Sequence, residues 1–340
     1  MTQHKATVLS HPNIAFVKYW GARNLDLAIP AFPSISMTLS RCYTRTTVEW
    51  RKTVGEHEIL LQEAGVLETA PEAFRGRIAG HLDRLRDWAG IEGHFKVGTE
   101  NNFPAAAGLA SSASGFSALA FGVVRALDRT VDVATLSRLA RLSGSGSAAR
   151  SVLGGYVEWP VGDDATTLYD DETCVARELA PHDHWDLRDV IALVAADAKK
   201  VSSVDGHRRT DTSPYWRTRE ERIEPRLELV RRAILERDIE TFGEVLEAEA
   251  IDLHCLAMTS QPAIFYWQPA TLSVLARVRA LRDEGVPAYS TMDAGANVHV
   301  ICEAEHEDRV VTALEAVPGV TDVLRDAIGP GPREVDDHLF

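Results

Sequence analysis

Residues 101–115 read Asn101-Asn102-Phe103-Pro104-Ala105-Ala106-Ala107-Gly108-Leu109-Ala110-Ser111-Ser112-Ala113-Ser114-Gly115, a run of small and hydroxyl-bearing side chains. An apolar stripe follows directly, with Phe116, Leu119, Ala120, Val123, Val124 and Leu127 at spacings of three and four, which predicts a helix with one buried face. Side chains this small let a polyphosphate approach the backbone, and the free N–H groups and positive dipole end of the helix complement its charge. The same composition also serves tight packing at a helix start. The loop therefore gains meaning only from the rest of the chain.

Upstream, short apolar runs at 14–17, 36–39 and 46–50 between turn signals read as strands, residues 72–88 as a helix, and 94–99 as the strand entering the loop. A second helix is expected at 132–142. Gly144, Gly146, Gly154 and Gly155 then bracket a loop before a strand at 156–159, and the Asp-rich stretch 162–173 reads as an exposed hairpin or loop. Near 186 the pattern changes. A buried strand at 190–196, a Lys/Ser loop at 199–206 and charged amphipathic helices at 217–236, 238–256 and 269–284 lead to a period-two strand, in which Val298, Val300 and Cys302 alternate with Asn297, His299, Ile301 and Glu303. We expect two domains, 1–185 and 186–340, with a shared cleft where ligands prefer to sit.

The composition, 45% hydrophobic and 25% charged over 340 residues, is that of an ordinary globular protein. A formal charge of −14 argues against a nucleic-acid partner, since phosphate backbones are held by clustered Lys and Arg. It leaves room for a small anion gripped by locally converging cations. Cys42, Cys174, Cys255 and Cys302 are scattered without CxxC spacing, so neither a disulfide framework nor a zinc site is indicated, and a reducing cytoplasm fits best. No run approaches the roughly 20 apolar residues that span a bilayer, so no membrane role is expected. His182 and His184 lack spaced partners for a metal, and His254 reads as an inner, hydrogen-bonded residue.

Four further segments carry reactive groups. In Pro12-Asn13-Ile14-Ala15-Phe16-Val17-Lys18-Tyr19-Trp20-Gly21 a lysine stands between an apolar strand and an aromatic turn; it can snorkel or serve a site. Ser143-Gly144-Ser145-Gly146-Ser147-Ala148-Ala149-Arg150 puts a guanidinium after a hydroxyl-rich loop, where it can clamp a carboxylate or phosphate, or simply be solvated. Lys199-Lys200-Val201-Ser202-Ser203 follows a buried strand and would set cations and hydroxyls at its carboxyl end. In Met292-Asp293-Ala294-Gly295-Ala296-Asn297 a carboxylate sits in a tight turn, where Asp beside Gly is ordinary turn chemistry.

Taken in order, NIAFVKYWG, NNFPAAAGLASSASG, SGSGSAARS with GGYVEW, KKVSS and MDAGAN resemble the motifs of the mevalonate diphosphate decarboxylases of the GHMP kinase superfamily, from about residue 10 to 303. The resemblance implies an α+β GHMP kinase fold of two packed domains, an ATP-dependent reaction with Mg2+, a small anionic isoprenoid acid as substrate, and a homodimer. It further implies that Asp293 helps deprotonate the 3-hydroxyl for attack on ATP, that Lys18 partners it, and that Arg150 grips the substrate acid with Ser145 and Ser147. Gly108, Leu109, Ala110, Ser111, Ser112 and Ser114, with Asn101, would hold the ATP phosphates, Ser111 and Ser112 lying near the metal.

Two departures bear on the substrate. Where the family typically reads KYWGK and SSR, this chain has Ala22 and Val204, and in the family both cations face the terminal diphosphate. Losing both removes roughly 3–6 kcal/mol of charge-assisted binding at about 1.5–3 per contact, or on the order of 10² to 10⁴ in affinity. The expected substrate is then mevalonate 5-phosphate and the product isopentenyl phosphate, with Tyr19, Ser203, Lys199 and Arg208 left to bind the monophosphate. The alternatives are a mevalonate 5-diphosphate decarboxylase with replacement cations from Arg208, Arg209 or Arg23, a mevalonate 3-kinase, and a non-catalytic sensor. Ala296 for the family's proline in DAGPN removes no reacting group.

Overall fold

The computed structural model describes residues 4–104, 111–160, 169–194 and 201–340. Three larger sheets organise them, beside a two-stranded ribbon of Ala22–Asn24 and Ile29–Pro30. The first has the strand order Arg333–Val335, Lys5–Ser10, Thr44–Arg51, His94–Asn101, Glu58–Glu63 and Val66–Thr69; the second Arg177–Ala180, Tyr156–Trp159, Ser34–Thr38 and Asn13–Val17; the third Ala288–Thr291, Val298–Glu303, Leu187–Leu193 and Asp322–Ala327. The chain thus returns at its C-terminal end to the sheet in which it began.

Eight described α-helices cover these sheets: α1 Glu72–Ala89, α2 Ser111–Ala126, α3 Val133–Arg141, α4 Ser203–Arg209, α5 Trp216–Glu236, α6 Ile239–Thr259, α7 Pro269–Asp283 and α8 Glu307–Glu315. The α2 stripe predicted from spacing packs on the first sheet, where Phe116, Leu119, Val123 and Val124 meet Val48 and Val97. Helix α6 touches both the Asn13–Val17 and the Ala288–Thr291 strands. Phe16, Tyr156, Trp185, Phe242 and Tyr289 therefore share one apolar core drawn from both halves of the sequence. Burying each such aromatic contributes about 1.5–3 kcal/mol, so this core fastens the two halves of the sequence together.

Three expectations need correction. Residues 203–206 are not loop but the first turn of α4, because the Ser202 hydroxyl caps the helix by accepting from Asp205 N–H at 3.1 Å. The buried strand ends at Leu193. The Val298–Glu303 strand does not alternate between core and solvent: Val298, Val300 and Cys302 pack against α7 and α8, while Ile301 belongs to the central core and His299 is buried beside Asp189. A strand covered on both faces loses the in–out signal that alternation normally reports. No described helix is long and apolar enough to cross a membrane.

Candidate active site

Lys18 lies just past the Asn13–Val17 strand, and Asp293 lies in the turn between Ala288–Thr291 and Val298–Glu303. Their side chains meet: Lys18 Nζ donates to Asp293 Oδ1 at 2.8 Å and to the Ala15 carbonyl at 2.6 Å. The lysine side chain is sealed at 1% exposure, whereas the carboxylate keeps 29%. Burial pulls the ammonium below the usual lysine range, with Asp293 opposing. Burial alone would raise Asp293, but the Lys18 charge and hydrogen bond outweigh it and hold the carboxyl below its usual range. The accessible member of the pair is thus an ionised carboxylate.

Arg150 follows the short 3-10 turn Gly146–Ala149 and is buried at 2% exposure. Its Nε donates to Ser36 Oγ at 2.9 Å and Asn13 Oδ1 at 3.2 Å, Nη1 to Ser34 Oγ at 2.7 Å, and Nη2 to Asn13 Oδ1 at 2.9 Å. A guanidinium has five donors, so each terminal nitrogen keeps one N–H without a partner among the described residues. Burial lowers its pKa to about 10, which leaves it charged at neutral pH. Asn13 also ties down the turn, donating to Ser147 O at 3.0 Å and Ser151 Oγ at 2.7 Å. The solvated-turn alternative for Arg150 is excluded by this burial.

Hydroxyls gather beside it. Ser145 Oγ lies 3.2 Å from both Ser112 Oγ and Ser147 Oγ, which joins the Gly/Ser turn to the start of α2. Gly146 allows this approach, since a Cβ there would stand 2.8 Å from the Tyr19 ring and 2.6 Å from Trp159. Tyr19 packs on Trp159 and on His207 of α4, and burial pushes its phenol well above the usual range. Gly21 N–H donates to His207 Nδ1 at 2.9 Å, so α4 is seated on the Tyr19–Gly21 turn.

Not every expected site residue faces this place. Ser114 is fully buried, with its hydroxyl 2.6 Å from Thr44 Oγ1 and donating to Ser111 O, and Asn101 Oδ1 accepts from the Thr44 hydroxyl at 2.7 Å. These bonds tie Ser114 and Asn101 to Thr44 of the first sheet. Arg208 is an exposed residue of α4 paired with Asp205 at 3.3 Å. It lines a cleft of about 300 Å³ together with Val204, Ser143, Gly144 and Arg84. Ser203 opens α4 immediately after its cap. Gly108, Leu109, Ala110 and Lys199 lie outside the described residues. Asn13, Ser34, Ser36 and His207 were not singled out from the sequence, although Asn13 and Ser36 stand in its apolar strand segments.

The sequence matches the diphosphomevalonate decarboxylase-like N-terminal domain over residues 10–176 and the mevalonate 5-diphosphate decarboxylase C-terminal domain over residues 190–332. The diphosphomevalonate decarboxylase of Candida albicans is 34% identical, with 99% of each chain covered. The chain belongs to the mevalonate diphosphate decarboxylase family. The phosphomevalonate decarboxylase of Haloferax volcanii, another relative, is 33% identical with 98% of each chain covered. Among solved structures, the complex of MDDEF with MVAPP, AMPPCP and magnesium superposes with a TM-score of 0.88 at 35% identity, covering 98% of this chain and 99% of that one. The fold is accordingly the GHMP kinase fold of these decarboxylases.

Proposed function

We propose that this member of the decarboxylase family converts mevalonate 5-phosphate to isopentenyl phosphate at the expense of ATP, releasing ADP, phosphate and carbon dioxide. Membership supports a phosphorylated mevalonate as substrate, and the relatives are named for both the diphosphate and the monophosphate. The observation that supports the choice is the seating of α4 on the Tyr19–Gly21 turn through His207, with Ala22 directly after that turn and Val204 in the first turn of α4. Neither position supplies a cation there.

The donor set suits the nucleotide and its metal. Ser111 and Ser112 open a sixteen-residue helix, and Ser145 Oγ reaches Ser112, so amide and hydroxyl donors meet at one helix end. Hydroxyl and phosphate oxygens are hard ligands of the kind magnesium favours, and Ser111 and Ser112 would offer the former beside the nucleotide phosphates. When bound, ATP supplies the phosphoryl group that makes the 3-hydroxyl a leaving group, and magnesium neutralises charge on its phosphates.

The chain's own residues do the rest. Asp293 takes the proton of the 3-hydroxyl as that oxygen becomes a nucleophile, and Lys18 keeps the carboxylate ionised for the task. Arg150 turns its two spare N–H groups to the substrate carboxylate, in a pocket fixed by Asn13, Ser34 and Ser36. Tyr19, Ser145, Ser147 and Ser203 supply hydroxyls to the acid and its phosphate.

One observation favours the diphosphate instead: Arg208 lies one turn beyond Val204 and lines the same cleft, from which it could replace a missing cation. ADP and carbon dioxide release, measured in parallel on mevalonate, its 5-phosphate and its 5-diphosphate, separates the readings. The highest kcat/KM on the 5-phosphate is expected. A preference for the diphosphate overturns the monophosphate reading, and ADP without carbon dioxide identifies a 3-kinase.

A further inference from the structure

The peptide of Lys18 stands one residue beyond its strand, yet both of its main-chain polar groups are bound. Its N–H donates to Glu249 Oε2 of α6 at 3.0 Å, and its carbonyl accepts from Arg219 Nη2 of α5 at 2.9 Å. The two side chains also hold each other, Arg219 Nη2 lying 3.0 Å from Glu249 Oε2 and Nη1 3.2 Å from Oε1. Exposure is 0% for Glu249 and 2% for Arg219.

Removing two ions from water costs several kcal/mol each, and well-packed apolar residues would join α5 to α6 equally well. Stability alone is thus a weak reason for this pair. What it adds is direction, because carboxylate and guanidinium each spend a hydrogen bond on the same residue. We propose that Glu249 and Arg219 are positioning residues that fix the Lys18 main chain so that its ammonium meets Asp293 in reacting geometry. This rests on the reading of Lys18 and Asp293 as the reacting pair. With Nζ also tied to the Ala15 carbonyl, Lys18 is held at three points and offers its charge to Asp293 without searching. Such fixation matters because a displacement of about 1 Å can cost on the order of 10²-fold in rate.

Arg226 provides the control. It pairs with Glu249 Oε1 at 2.5 Å and with Asp252 at 2.6 Å, and no bond from it to Lys18 is found. We would measure ADP release from mevalonate 5-phosphate and, in parallel, 5-diphosphate for Arg219→Lys, Glu249→Gln and Arg226→Gln, with thermal melts to establish folding. For the first two, kcat should fall about 10- to 100-fold while KM for the substrate changes by less than about threefold. Arg226→Gln should lose thermal stability but keep kcat within about twofold. Wild-type kcat in folded Arg219→Lys and Glu249→Gln overturns the proposal, as does an equal loss in Arg226→Gln.

Lys18→Ala distinguishes the two layers of argument. If it turns over normally, the reacting-pair reading itself is wrong; if it is inactive while Arg219→Lys and Glu249→Gln are normal, only the positioning role fails. Should neither clamp variant fold, amide exchange of Lys18 in the wild-type protein decides. Protection comparable to the neighbouring strand amides is expected, and exchange at loop rates overturns the clamp.

Discussion

Lys18 Nζ sits 2.8 Å from Asp293 Oδ1 although 275 residues separate them, and only the carboxylate of the two is open to a ligand. On the proposed function, that asymmetry suits Asp293 as the proton acceptor and Lys18 as its support. Asp293→Asn keeps volume and most hydrogen bonding but removes the base, so turnover should drop by about 10² to 10⁴. Binding of a non-hydrolysable ATP analogue, followed by calorimetry, should persist. Retention of more than about a tenth of the rate would show that another group takes the proton.

Arg150→Lys preserves charge and discards the planar fork. Ser34, Ser36 and Asn13 lose the donors they now accept from, and on the proposed function the substrate carboxylate loses two N–H groups. At about 1.5–3 kcal/mol for each charge-assisted contact, both KM and kcat should worsen. Steady-state kinetics unchanged by this substitution would place Arg150 outside the site.

Two buried imidazoles make the fold sensitive to mild acid. Burial lowers His81, which bonds the Leu139 carbonyl, to about 4; burial and the Lys18 charge lower His254 to about 3. In the unfolded chain both titrate near ~6.5, so between about 6.5 and 4 the unfolded state binds more protons and stability falls as pH drops. The loss is on the order of 1 kcal/mol per pH unit for each histidine. Urea midpoints at pH 7.5 and 5 test this, together with imidazole NMR. Either resonance titrating with a midpoint near 6.5 would contradict the assignment.

The sequence made the motif residues legible and left their supports hidden, for physical reasons. Lys18, Arg150 and Asp293 stand out because each is a charge among small or apolar neighbours. Arg219 does not, because Trp216-Arg217-Thr218-Arg219-Glu220-Glu221-Arg222 looks like one solvated face, and only packing against α6 distinguishes the buried arginine from the exposed ones. Ser34 and Ser36 read as ordinary strand serines until Arg150 is folded onto them. The start of α4 was recoverable, since Ser202 followed three residues later by Asp205 is a helix-capping pattern. The burial of Ser114 was equally hidden: at the edge of a hydroxyl-rich loop, a serine facing the loop and one facing the core look alike.

Gly146 tests whether the close approach of Tyr19 and Trp159 to the Gly/Ser turn is required. A methyl group there would lie 2.6 Å from the Trp159 ring and 2.8 Å from the Tyr19 ring. Overpacking of this kind costs about 1–3 kcal/mol. Gly146→Ala should lower Tm and raise KM for the mevalonate phosphate as Tyr19 shifts. A variant with unaltered Tm and KM would mean that the turn relaxes freely and does not set the position of Tyr19.

The substrate assignment can be reversed by design if it is correct. Ala22 opens a short strand directly after Gly21, and Val204 lies in the first turn of α4, whose His207 accepts the Gly21 N–H. Ala22→Lys with Val204→Arg should therefore return cations to the neighbourhood of the phosphate and shift the kcat/KM ratio toward mevalonate 5-diphosphate. Two charge-assisted contacts would total roughly 3–6 kcal/mol in a dry site, but both positions are partly exposed, so solvent screening reduces the expected shift to ~1–3 kcal/mol. The ratio for the two substrates is to be measured in wild type and double variant at one ionic strength. Because screened pairs weaken with salt, the gain should shrink as ionic strength rises. A wild type that already prefers the diphosphate would remove the monophosphate reading, and Arg208→Ala would then be expected to lose that preference, since Arg208 shares the cleft with Val204.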